Sequence, residues 1–181
     1  MILHWRDPAS VAIGGRIYSL IPSGEFQPSS IIPWTQAEDL NLWRNMVREY
    51  SEELLNTPEH DGSKGDMIDY QAWPLYQTLT TAKEEGRVRA FYLGLASNPL
   101  SLGSDLLTVV VLDDDIFDSA FRTMGRSNTE GVIVDELPDS PNVGLTFDQE
   151  TIDQLIAEER VAPSSAACLH LAWQHRTQLI G

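Results

Sequence analysis

Residues Arg48–Leu55 read REYSEELL, and the spacing of Glu49, Glu52 and Glu53 within that stretch decides how the chain is read. On an α-helix these positions share one face, where like charges three or four residues apart repel by roughly 0.2–0.5 kcal/mol per pair. A solvated face tolerates that cost. A divalent cation reverses it, because hard carboxylate oxygens are the ligands that Mg2+ and Mn2+ prefer. Around the octet, Leu40, Trp43, Val47, Tyr50 and Leu54 recur at three- and four-residue steps. That period predicts an amphipathic helix of about five turns, beginning near Thr35 with Thr35 and Glu38 at capping-box spacing. Asn56 and Pro58 end it. Glu49, Glu52 and Glu53 then fall about a third of a turn from the apolar stripe, at the edge of the core.

Working outward, Arg16–Ile21 alternates as a strand, and Pro22–Pro33, with three prolines, is a turn-rich connection. Glu59–Gln71 is a polar loop, and a helix is predicted over Ala72–Glu85, closed by Gly86. Val88–Ser97 and Asp105–Asp113 are rich in branched and aromatic residues, and the short NPLSLGS between them predicts an antiparallel pair. Glu130–Leu137 reads as a further strand. Thr146 and Gln149 are placed to cap a helix running to about Glu159, and Pro163 to open a last one ending near Leu179. No repeat, low-complexity tract or long linker divides the chain, so one α/β domain over 1–181 is expected.

Composition excludes several classes. The 181 residues, 42% hydrophobic and 22% charged, suit a soluble globular domain. No apolar run approaches the ~20 residues of a membrane span, and MILHWRDPAS lacks the apolar core of a signal peptide. Twelve basic against 27 acidic residues give a net charge of −15. That argues against direct binding of nucleic acid, whose phosphates are gripped by Lys and Arg. The single cysteine, Cys168, forms no intrachain disulfide, which favours a cytoplasmic location, and its apolar setting reads as a buried structural thiol.

Arg48, Glu49, Tyr50, Glu52 and Glu53 resemble the second half of the Nudix box, G-x5-E-x7-R-E-U-x-E-E-x-G-U. The resemblance implies a Nudix-like α/β/α sandwich with a mixed sheet. It also implies an Mg2+- or Mn2+-dependent hydrolase of a nucleoside-diphosphate-linked metabolite. Glu49, Glu52 and Glu53 would hold the metal, one of them serving as base, and Arg48 would orient a carboxylate beside them. The first half of the box departs from the pattern. The family's glutamate falls on Leu40, with Glu38 or Asp39 as the substitutes at hand, and its first glycine falls on Trp34. Leu55 stands where the later glycine belongs, and PSGEF resembles the glycine-rich strand end only with an insertion.

LWRNMVREYSEELLN, FQPSS, TVVVLDDDIFD and CLHLAWQHR also resemble the C-terminal, Nudix-like region of actinobacterial helix-turn-helix transcription regulators. Residues 1–15 are too few for a helix-turn-helix, so a stand-alone relative or a shortened form is expected. That resemblance implies the alternative function, a domain that senses a nucleotide-type ligand without hydrolysing it. A small molecule is the expected partner in either case, with no membrane, and monomer and homodimer both stay open. Of the other clusters, Asp113–Asp115 reads as a strand-end turn and helix cap. His60 and Asp61 read as solvated loop, Trp34, Trp43 and Trp73 as core and loop anchors, and His170 and His175 lie too far apart in sequence for a zinc pair on one helix face.

Overall fold

The computed structural model describes residues 1–6, 16–58, 67–98, 102–125, 127, 131–134 and 143–181, without the side chains of Trp34 and Thr35. His60 and Asp61 lie outside the described residues. The elements are β1 (Leu3–Arg6), β2 (Tyr18–Leu20), α1 (Pro33–Asp39), α2 (Leu42–Leu55), α3 (Pro74–Glu84), β3 (Val88–Ser97) and β4 (Ser104–Leu112), followed by α4 (Asp114–Ala120), β5 (Gly131–Ile133), α5 (Gln149–Glu158), α6 (Pro163–Gln174) and α7 (Arg176–Leu179). The fold is of the mixed α/β class with antiparallel sheets. Among the described residues, no helix is long and apolar enough to cross a membrane. The chain forms two compact units.

The first unit comprises Met1–Ile21, Arg89–Val111 and Thr129–Gly181. Its three-stranded sheet runs β2-β1-β5, antiparallel throughout, with Leu3 opposite Leu20 and His4 between Ser19 and Ile133. Leu3, Ile152, Leu155 and Leu169 form the core beneath it. Phe147 and Trp173 close that core edge to face, 5.6 Å between centroids. An isolated parallel bridge ties Tyr18 to Val161, and the Ser165 hydroxyl accepts the Leu20 N–H at 3.1 Å. β1 had no counterpart among the sequence expectations, because four residues are too short for a convincing alternation.

The β3–β4 pair is the one expected. Along β3 the exposed positions are Ala90 and Tyr92, then Leu95 and Ser97. The phase shifts by one residue at Gly94, whose φ of 145° a side chain would strain, so one face stays outward along the whole strand. Cys168 is buried as anticipated, and its thiol points at the Thr108 carbonyl, 3.4 Å away. Burial pushes its pKa up to about 11, with the carbonyl contact acting weakly the other way. At pH 8 the native thiol is therefore expected to react with iodoacetamide on the order of tenfold or more slower than the urea-unfolded chain, because the thiolate is the nucleophile. Equal rates in the two states would contradict the burial.

The second unit comprises Pro22–Val88 and Leu112–Asn128. Here α2 packs on α3, and α3 on α4. Val47, Tyr50 and Leu54 are buried along α2, as their spacing predicts, and Leu79 of α3 is fully buried with them. Tyr50 and Phe121 rings lie 5.7 Å apart. Trp43 is an anchor, its indole N–H donating to Thr80 Oγ1 at 2.9 Å. Gly86, at φ 77°, follows α3 and turns the chain into β3. Asp113 stands at the N-cap position of α4 without a side-chain cap bond, its carboxylate going instead to Arg87, which lies 3.3 Å from Asp113 and 2.5 Å from Asp115; the helix start is the one read, the side-chain cap is not formed.

Three helix expectations are corrected. The five-turn helix is two helices, because Asn41 caps a new start: its side chain accepts the Arg44 N–H. Pro33 is already the first residue of α1, so Thr35 lies inside that helix, and Leu40, at the break, is exposed. Asp148, a stronger acceptor two residues nearer the helix, takes the Thr151 N–H and caps α5 in place of Thr146. His175 interrupts the final helix between α6 and α7. The end of α2 is as predicted, with Asn56 left-handed at φ 52°.

Candidate functional site

The REYSEELL residues all lie on α2. Arg48 is buried. Its Nη1 donates to the Tyr70 hydroxyl at 2.7 Å, and its Nη2 to the Gln27 carbonyl at 2.6 Å and Asn45 Oδ1 at 3.1 Å. Asp39, also buried, lies 4.0 Å from Nη1 and accepts the Tyr70 O–H at 2.9 Å. The other Asp39 oxygen accepts the Ser29 N–H at 3.1 Å and the Ser29 hydroxyl. Arg44 stacks its guanidinium over the Tyr70 ring, 4.5 Å from the centroid. A buried charge pair persists only when its remaining lone pairs and protons are satisfied, and the partners of this one are Gln27, Ser29, Asn45 and Tyr70.

Arg48 was expected to orient a carboxylate of the trio; the carboxylate it faces is Asp39, one of the two acids available to replace the family's glutamate. Burial pushes the Tyr70 hydroxyl up to about 12, against the opposing pull of Arg48. Burial also raises Tyr50, and the charge of Glu53 adds to the rise.

The glutamates lie on the adjoining side of α2, with Glu52 one turn beyond Arg48. Glu53 is buried, while Glu49 and Glu52 are half-buried, which is the core-edge position their helical phase predicts. Glu53 Oε2 accepts the Ser23 N–H at 3.1 Å. Glu49 Oε1 takes the Asn45 amide at 3.4 Å, and its carboxylate lies so close to Gly24 that a Cβ there would collide with it. Asn45 Oδ1 also accepts the Gln27 N–H at 3.2 Å. The Ser23–Gln27 backbone is thus laced along α2 by Glu53, Glu49, Asn45 and Arg48.

The implied donor set for Mg2+ or Mn2+ was Glu49, Glu52 and Glu53. Among the described residues, no three His, Cys, Asp or Glu side chains are arranged to hold a metal ion. Of the trio, Glu53 is engaged through Oε2 by the Ser23 N–H. Tyr70, Ser29, Gln27 and Gly24 had no sequence signal as members of the site. Asn45 had one, lying three residues before Arg48 and four before Glu49 on the same helix.

A scan against protein-family models and searches of curated proteins and of solved structures returned no match to this chain.

Proposed function

We propose that the chain is a Nudix-like domain that binds a small nucleotide-type ligand without hydrolysing it. The R-E-x-x-E-E spacing of α2 supports the family, as does the buried pairing of Arg48 with Asp39. What supports the non-catalytic half is the arrangement of the side chains: among the described residues the acids are not grouped to hold a metal ion, and one Glu53 oxygen accepts the Ser23 N–H. With a net charge of −15 the ligand is small and is met by local donors, not by a basic surface.

The test screens nucleoside diphosphate sugars, dinucleotides and nucleoside triphosphates, with and without Mn2+, for thermal stabilisation and for product release. Stabilisation by at least one class without turnover is the expected result; a ligand at a hundred times its Kd adds about 2.7 kcal/mol. The second reading, a metal-dependent hydrolase, draws on the half-buried Glu49 and Glu52, whose carboxylates keep some access to solvent. Mn2+-dependent turnover abolished by Glu52→Gln would establish that reading and overturn the first.

A further inference from the structure

The β3–β4 hairpin of the first unit turns one face outward. Its closing bond, from the Asn98 N–H to the Gly103 carbonyl, sets Ser97 opposite Ser104 and Leu95 opposite Leu106. β3 has 10 residues and β4 has 9, and the extra residue is absorbed at Gly94. Beyond that bulge Tyr92 stands opposite Thr108, and Ala90 opposite Val110. Tyr92 and Leu95 are 57% and 59% exposed, while the buried Leu107 marks the opposite face. Arg89 and Asp105 alternate onto the face of Leu107, so none of the chain's 12 basic and 27 acidic residues falls on the outward one. Exposed apolar side chains gathered on one uncharged strip mark an association surface.

We propose that this face joins two copies of the chain, face to face about a two-fold axis near Leu93. Two chains of net charge −15 repel wherever their acidic surfaces meet, and this face brings no charge from either side. A basic partner would seek the acidic surface instead. An isologous contact also needs a surface complementary to itself. Here Tyr92 is the knob and Gly94 the notch, with nothing within 4 Å of where a Cβ would lie. An axis near Leu93 brings each Tyr92 over the Gly94 of the other copy. Pairing through the β3 edge is disfavoured, because a bulge blunts an edge strand. The face is about 30 Å long, so a contact confined to it lies near the ~1,000 Å2 at which specific association begins, and the dimer is weak. The proposal stands apart from the ligand reading of α2.

Sedimentation equilibrium from micromolar to submillimolar protein, at about 50 and about 500 mM NaCl, tests it, since the screening length shrinks severalfold between the two. The expected result is a monomer–dimer equilibrium whose dissociation constant falls about threefold or more at the higher salt, as repulsion between like-charged chains is screened. Leu95→Lys and Tyr92→Glu are each expected to weaken the dimer at least tenfold, although the first lowers the magnitude of the net charge and the second raises it. Both positions are exposed, and unchanged thermal melts show that the fold is kept. Ile31→Lys, at an apolar position of the second unit that is 91% exposed, leaves the dissociation constant as it was. A monomer at every concentration would overturn the second copy and leave the face to a different partner. A dimer that weakens with salt, survives Leu95→Lys and Tyr92→Glu, or is lost in Ile31→Lys would overturn it equally.

Discussion

Arg48→Ala is expected to lower the free energy of unfolding by about 3–5 kcal/mol, the range for removing one partner of a buried ion pair. The loss comes from what is left behind. Asp39 keeps its charge away from water, and the Tyr70 hydroxyl, Gln27 carbonyl and Asn45 side chain each lose a donor. Urea unfolding followed by tryptophan fluorescence measures it, with an unchanged m-value showing that the unfolding transition itself is the same. Arg48→Met is expected to be nearly as damaging, because the charge on Asp39 remains. Combining Arg48→Met with Asp39→Leu recovers part of the loss, since neither charge is then stranded. A loss below about 1 kcal/mol in Arg48→Ala would mean that the guanidinium behaves as a surface charge.

Tyr70→Phe is the second large effect, about 1.5–3 kcal/mol, the cost of deleting a hydroxyl bonded to charged partners on both sides. It carries a pH signature as well. The hydroxyl titrates near 10 in the unfolded chain and is raised to about 12 in the folded one. A raised folded pKa contributes stability that is fully present below the unfolded value, and that stability is lost as pH rises through the folded value. The wild type is therefore expected to lose stability between pH 10 and 12 more steeply than Tyr70→Phe. Tyr50, raised in the same direction, contributes to the alkaline loss of both proteins. Parallel stability curves across that window would refute the assignment of Tyr70.

Within the site, the glutamate face was legible in sequence and the arginine was misplaced. Glu49, Glu52 and Glu53 stand at the core edge because helical phase alone puts them there. Arg48 read as a companion to those acids, since an arginine beside glutamates in an acidic chain ordinarily pairs with them. Its partners instead come from positions 21 and 22 residues away, Gln27 and Tyr70, and Tyr70 reaches 31 residues back to Asp39. Those separations exceed any helical or strand period, so no local pattern encodes them.

The same division runs through the whole chain. The amino-acid sequence by itself determined the buried stripe of Val47, Tyr50 and Leu54, the stop at Asn56, the β3–β4 pair and the helix start at Asp113, because each follows from contacts close in sequence. Tertiary structure decided that Arg48 is buried and that Ser23–Gln27 lies along α2; the break at Leu40–Asn41 is local, set by the Asn41 side chain on the Arg44 N–H, and the longer apolar period masked it. The reason is energetic. A carboxylate or guanidinium satisfied by water and one satisfied by a distant backbone group look alike in sequence. Only the folded chain brings Asp39, Tyr70 and the Gln27 carbonyl close enough to replace the water around Arg48.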